Sequence, residues 1–217
     1  MKSKSTEDME NFPIRMTQDD WKKSYEGETP PHWAEDFEPS PLAGRLLNLL
    51  PEESGNQILE IGAGNGRDSI FFAKKGNQVT GIDLAPGAIK LAEENAKKNG
   101  VADKINLSVA KAESLPFANE HFDAVYSISV LHSTVLPESM AEISRVLKPQ
   151  GKALIYLYEM NESGGKKYWF WKEGQIETMC KENNLKIDYK ENFFDDRHAG
   201  EVTKVLIFEI HKEENAQ

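Results

Sequence analysis

Cysteine is nearly absent. Cys180 stands alone, so no internal disulfide can form, and the thiol content suits a reducing compartment. Basic residues are outnumbered, 26 Lys and Arg against 36 Asp and Glu, for a net charge of −10. That balance repels a phosphate backbone and disfavours a general nucleic-acid binder. Long apolar runs are missing too: none approaches the roughly 20 residues of a membrane span. The opening "MKSKSTEDMENFP" is polar, with no apolar signal core. A cytoplasmic protein is expected, and the sequon Asn161-Glu162-Ser163 reads as chance. The five histidines are scattered in no familiar metal spacing. In "FFDDRH" (Phe193–His198) Arg197 would repel a cation. No metal is expected.

What is present is an alternation of strands and helices. "QILEI" reads as a strand, "GRDSIFFAKKG" as a helix closed by Gly76, and "NQVTGID" as a strand. "PGAIKLAEENAKKNG" is an amphipathic helix, with Pro86 near its start and Gly100 after its end. "KINLSVA" and "FDAVYSISV" are strands. "LPESMAEISRVLKPQG" is a helix stopped by Pro149 and Gly151, and "KALIYLYE" is a strand. Most of these strands are near-continuous apolar runs, the mark of a parallel sheet covered by helices on both faces. After Glu159 the sequence predicts a polar loop, "MNESGGKK". A helix in "WKEGQIETMCKENN" and two strands, "LKIDYKENFF" and "TKVLIFEIHK", follow. The short link between these two places the second antiparallel, at or near the sheet edge. One domain over 1–217 is expected: an arm or lid at 1–40, a ligand-binding core at 41–160, and a helix and strands on the acceptor side at 161–217.

In open sheets of this kind the ligand sits at the carboxyl ends of the strands. The first strand-to-helix turn is "ILEIGAGNGRDS", Ile58 to Ser69. Gly62, Gly64 and Gly66 permit positive φ and close approach of a ligand, and the following helix aims free N–H groups at it. The third glycine comes one place too early for the dinucleotide pattern G-x-G-x-x-G. Glu60 stands just before the turn. A carboxylate beside a pyrophosphate costs Coulomb energy, while one beside a cation gains it. S-adenosylmethionine, with its sulfonium and ammonium, suits that acid; NAD does not. Asp83, closing the second strand, can accept from both ribose hydroxyls of either cofactor.

The four blocks "LEIGAGNG", "VTGIDLAPGAI", "AESLPF…FDAVYSISVLH" and "RVLKPQGKALI" together resemble the class I S-adenosylmethionine-dependent methyltransferases over about Gln57 to Tyr158. The resemblance implies a Rossmann-like, seven-stranded, mostly parallel sheet with the last strand antiparallel. It also implies S-adenosylmethionine as cofactor and site roles by position. Glu60, Gly62, Ala63 and Gly64 would hold the methionine portion, and Asp83 the ribose. Leu84 would lie beside the adenine, with Ala112 and Glu113 along its edge. Ser129 would meet the amino-acid end. Many members carry an aspartate where this chain has Lys111, and lysine cannot accept a bond from the adenine amino group. Glu113 or a backbone carbonyl would substitute, or affinity falls. Outside the core, "TPPHWAEDFEPSP" and "FWKEGQIETMCKENNLKI" are loosely similar to segments of the thiopurine and tellurite-resistance methyltransferases. They point to small-molecule methylation, with a soft sulfur or chalcogen acceptor as one option.

Methyl transfer from a sulfonium is a direct displacement, so the protein mainly aligns the nucleophile and excludes water. An oxygen or nitrogen acceptor can also need a base. His132 follows "SISVL" and is the candidate, with an ordinary pKa near neutrality; the alternative is packing on the cofactor. Tyr25 and Trp33 are candidates for a lid with cation–π character, or for packing of the arm. Tyr158 and Glu159 end the fifth strand on the substrate side. "YWFW" (Tyr168–Trp171) either lines an acceptor pocket or plugs a loop against the core. The competing functions are a protein or tRNA methyltransferase and a non-catalytic cofactor-binding regulator. Acceptor identity and oligomeric state carry no sequence signal.

Overall fold

The computed structural model describes residues 18–27, 31, 34–35, 37–51, 55–163, 166–195 and 201–214; of 160–169 and 201 the backbone alone is described. Trp33, Arg197 and His198 lie outside the described residues.

Helix α1 (Gln18–Ser24) comes first, then α2 (Pro41–Asn48), capped by the Ser40 side chain accepting from Leu42 N–H. The alternation follows: β1 (Gln57–Ile61), α3 (Arg67–Lys74), β2 (Gln78–Asp83), α4 (Pro86–Lys98), β3 (Ile105–Val109), β4 (Phe122–Ile128), α5 (Leu136–Val146) and β5 (Leu147–Ser163). Then come β6 (Lys166–Trp169), α6 (Glu173–Glu182), β7 (Leu185–Asp195) and β8 (Glu201–Lys212). No helix among the described residues is long and apolar enough to cross a membrane.

The sheet runs β3-β2-β1-β4-β5-β8-β7, with β6 paired to β5 alone. β1 through β5 pair in parallel, and β8 is antiparallel to both β5 and β7. This is the expected seven-stranded path with its last strand antiparallel, plus one hairpin strand. β8 lies inside the sheet, and β7 takes the edge.

Strand alternation divides the core. Ile58, Ala124, Tyr126, Leu154 and Val205 face α2 and α3, while Leu59, Val125, Ile155 and Leu206 face α5 and α6. Glu60 therefore shares a face with Ile58 and points at α3, which decides its partners below.

Two expectations need correction. Helix α5 ends at Val146, ahead of Pro149, and residues 147–151 already belong to β5. A register irregularity between Phe122 and Ala124 takes up the slack, and Gln150 sits at φ 64. Further on, the described part of "MNESGGKK" is strand: β5 runs through Tyr158 and Glu159 to Ser163 and pairs with β6, which starts at Lys166, and with β8. Polar composition suggested a loop, but pairing to β8 over Met160–Ser163 holds the segment extended.

Candidate active site

The glycine turn is organised from β2. Gly62 and Ala63 both donate to Ile82 C=O, at 2.8 and 2.9 Å. Gly62, Gly64 and Gly66 have φ of 82, 55 and 81°, a region costly for other residues. The Asp83 carboxylate accepts Gly64 N–H at 3.0 Å and Ala85 N–H at 2.9 Å. It thus ties the turn after β1 to the turn after β2. Burial raises the Asp83 carboxyl above its ordinary value, opposed by the backbone N–H groups of Ala85, Gly64 and Leu84. Asn65 links three segments: its amide donates to Ala34 C=O, its side-chain oxygen takes Arg67 N–H, and its carbonyl accepts from Asn95.

Glu60 is buried and receives the Ser69 hydroxyl. Burial first, then the Asp68 carboxylate, hold its carboxyl well above the usual range; Ser69 and Arg67 work against them. Asp68 is itself buried and accepts from Ser40 N–H at 2.7 Å and Tyr126 OH at 3.2 Å. Both causes, burial and Asp68, favour the protonated form of Glu60. A group raised in the folded state stabilises below its unfolded pKa and loses that contribution as pH rises. Glu60→Gln mimics the protonated form. It is expected to melt a few degrees above the wild type at pH 8 and level with it at pH 4. Equal melting temperatures at pH 8 would contradict the raised value.

At the adenine edge proposed from sequence, Ala112 is buried and Lys111 exposed. Glu113 Oε1 accepts Val135 N–H at 3.0 Å and the Gln18 amide at 2.7 Å. Glu113 Oε2 is buried with no partner among the described residues. A buried acceptor without a donor costs about 1–3 kcal/mol. An adenine amino group is a donor of the right kind, so the residues present fit S-adenosylmethionine despite Lys111.

Ser129 follows β4 at φ 58, held there by its N–H on Tyr156 C=O at 2.9 Å. Its hydroxyl lies 3.5 Å from the Tyr158 hydroxyl. His132 sits in the 3-10 turn Leu131–Ser133, buried, stacked on Tyr158 at 4.3 Å and edge-on to Phe170 at 5.1 Å. Its Nδ1 has no partner among the described residues. Burial pushes its pKa down to about 3, not the near-neutral value expected from sequence. The "YWFW" run splits: Tyr168 and Trp169 belong to β6, Phe170 closes on His132, and Trp171 packs on the core. Glu159 pairs with Lys204 at 2.9 Å. Cys180 is buried. No metal-holding group of three or more His, Cys, Asp or Glu occurs among the described residues.

Tyr25 follows α1 and lies close to the turn: its hydroxyl is 3.4 Å from where a Cβ on Gly64 would stand. The structure therefore gathers Tyr25, Gly64, Asp83, Glu113 and the Ser129–His132 segment around the carboxyl ends of β1, β2 and β4. Phe170 comes from the run singled out in the sequence, whereas sequence reasoning missed Gln18 and Gly87. Their contacts join distant segments, and no local motif signals them.

Residues 59–155 match a family model described as a methyltransferase domain. The 27-O-demethylrifamycin SV methyltransferase of Amycolatopsis mediterranei is 33% identical over 118 residues, 52% of this chain and 43% of that protein. The O-methyltransferase rstn1 of Aspergillus nomiae is 33% identical over 116 residues, 52% of each. The chain thus spans about half, or less, of the length of these curated relatives. Among solved structures, the Haemonchus contortus phosphoethanolamine N-methyltransferase 2, bound to phosphomonomethylethanolamine and S-adenosylhomocysteine, superposes with a TM-score of 0.70 at 21% identity. That match covers 84% of this chain and 56% of the other. Residues 59–155 thus match a methyltransferase domain, and the fold of the chain is that of solved methyltransferases.

Proposed function

We propose that the protein transfers the methyl group of S-adenosylmethionine to a small-molecule acceptor by in-line displacement. The observation that carries this reading is the convergence of the Gly62–Gly64 turn, Asp83 and the Ser129–His132 segment at the carboxyl ends of adjacent parallel strands. The names of two relatives, a methyltransferase of 27-O-demethylrifamycin SV and an O-methyltransferase, support it.

When bound, S-adenosylmethionine supplies an activated methyl on a sulfonium. Asp83 would accept the ribose hydroxyls, Leu84 and Ala112 would line the adenine, and Glu113 Oε2 would take its amino group. Glu60, Gly62, Ala63 and Gly64 would hold the methionine portion together with Ser129. Tyr25 would cover it from the arm. His132, neutral and enclosed by Tyr158 and Phe170, acts in this reading as a hydrogen-bonding wall for the acceptor, since a base that weak removes no proton from an alcohol. The acceptor must therefore arrive nucleophilic, and alignment with exclusion of water supplies the rest.

Titration calorimetry with S-adenosylmethionine and with NAD tests the cofactor; binding of NAD alone would defeat the proposal. Labelled methyl transfer into cell extract tests the acceptor. Label is expected in the small-molecule fraction, and label confined to protein or RNA would overturn that part.

The pH dependence follows from His132. Its folded pKa lies below its ordinary 6.5. Its contribution to stability is therefore complete above that pH and is lost as pH falls toward 3, by up to about 1.4 kcal/mol per pH unit. His132→Phe is expected to flatten that slope in urea titrations. In the wild type, kcat/KM is expected to show no inflection near pH 6.5; an inflection abolished by His132→Phe would restore the base role.

A further inference from the structure

Helix α1 and Tyr25 touch the site at both ends. At one end the Gln18 amide donates to Glu113 at 2.7 Å, and the Trp21 indole N–H lies 3.4 Å from the Ser133 hydroxyl. At the other end Tyr25 rests on Gly87, in the first turn of α4. A Cβ on Gly87 would overlap the Tyr25 carbonyl and stand 2.9 Å from the Tyr25 Cβ. Gly87 differs from the three glycines of the turn. Its φ lies outside the left-handed region, and the first turn of a helix accepts alanine more readily than glycine. The missing side chain serves the arm and not the helix.

The contacts beneath the arm give this seat a purpose. Glu113, gripped by Gln18, has one buried oxygen without a partner among the described residues, and so does Nδ1 of His132, the neighbour of Ser133. A ligand bearing a donor pairs the buried Glu113 oxygen beneath the seated arm, on the side that Gln18 holds. Closure is therefore favoured by occupancy.

We propose that Gly87 is a positioning residue that seats residues 18–25 as a ligand-gated lid and thereby brings the Tyr25 hydroxyl to the Gly64 turn. The proposal rests on the placement of S-adenosylmethionine at that turn. Hydrogen exchange on the full chain, with and without S-adenosylhomocysteine, tests it. The amides of Tyr25 and Glu26, bonded to Lys22 and Lys23 C=O, are expected to exchange about tenfold more slowly with the ligand bound. Gly87→Ala is expected to lose that slowing and to bind about tenfold more weakly, with a melting temperature no lower than the wild type. Gln18→Leu, which frees the other end, is expected to lose the slowing as well. Wild-type slowing in both variants overturns the proposal. So does tight binding to the wild type with no slowing at Tyr25 and Glu26. Absence of any binding to the wild type would instead sink the cofactor reading, which separates the two failures.

Discussion

Alanine at Asp83 is expected to weaken S-adenosylmethionine binding by about a hundredfold or more. Two hydrogen bonds to a charged carboxylate, at about 1.5–3 kcal/mol each, are removed with it. The carboxylate also holds Gly64 and Ala85 N–H, so the same change loosens both turns that shape the cofactor's bed. Asp83→Asn is the milder change. Gly64 and Ala85 bond different carboxylate oxygens, so the amide keeps one of the two backbone bonds, turns its NH2 toward the other N–H and lacks the charge. Both its affinity and its melting temperature are expected between those of the wild type and the alanine variant. Titration calorimetry beside thermal melts reads both. An alanine variant within threefold of wild-type affinity would remove Asp83 from the ribose.

The second large effect concerns folding. Gly62→Ala is expected to destabilise by about 3 kcal/mol, because two penalties combine. The backbone stands at φ 82°, and the new methyl would overlap the Val130 side chain. Val130→Ala in the same chain relieves the overlap but not the strained φ. The double variant is therefore expected to recover part of the loss relative to Gly62→Ala. Urea midpoints measure this, and an unchanged midpoint for Gly62→Ala would mean that the turn is shaped differently.

Much of this site was legible in the sequence because its parts are local. The turn from Gly62 to Gly66, Asp83 at a strand end and Ser129 after a strand each announce themselves through the residues beside them. The strands and helices from β1 to β4 are likewise periodic enough to read within a residue or two. What the sequence hid depends on meeting across the fold. Glu60 could be read as an acid beside the turn, but its proton depends on Asp68 and Ser69 being brought to the same side by α3. The near-neutral value expected for His132 failed for the same reason: Tyr158 and Phe170 arrive from β5 and the segment after β6. Gly87 reads as an ordinary residue near a helix start, and Tyr25 alone reveals its use. The β5–β6 hairpin was missed because tertiary pairing overrode composition.

The place of β8 constrains the order of assembly. β7 joins the sheet only through β8, which itself must first find β5. The parallel half, β1 to β5, makes its strand pairings without either. Yet the longest reach in the sheet belongs to the parallel half, where Ile58 meets Ala124, while β7 and β8 pair locally, Asp195 with Thr203. Joining β1 to β4 is therefore the entropically slower event.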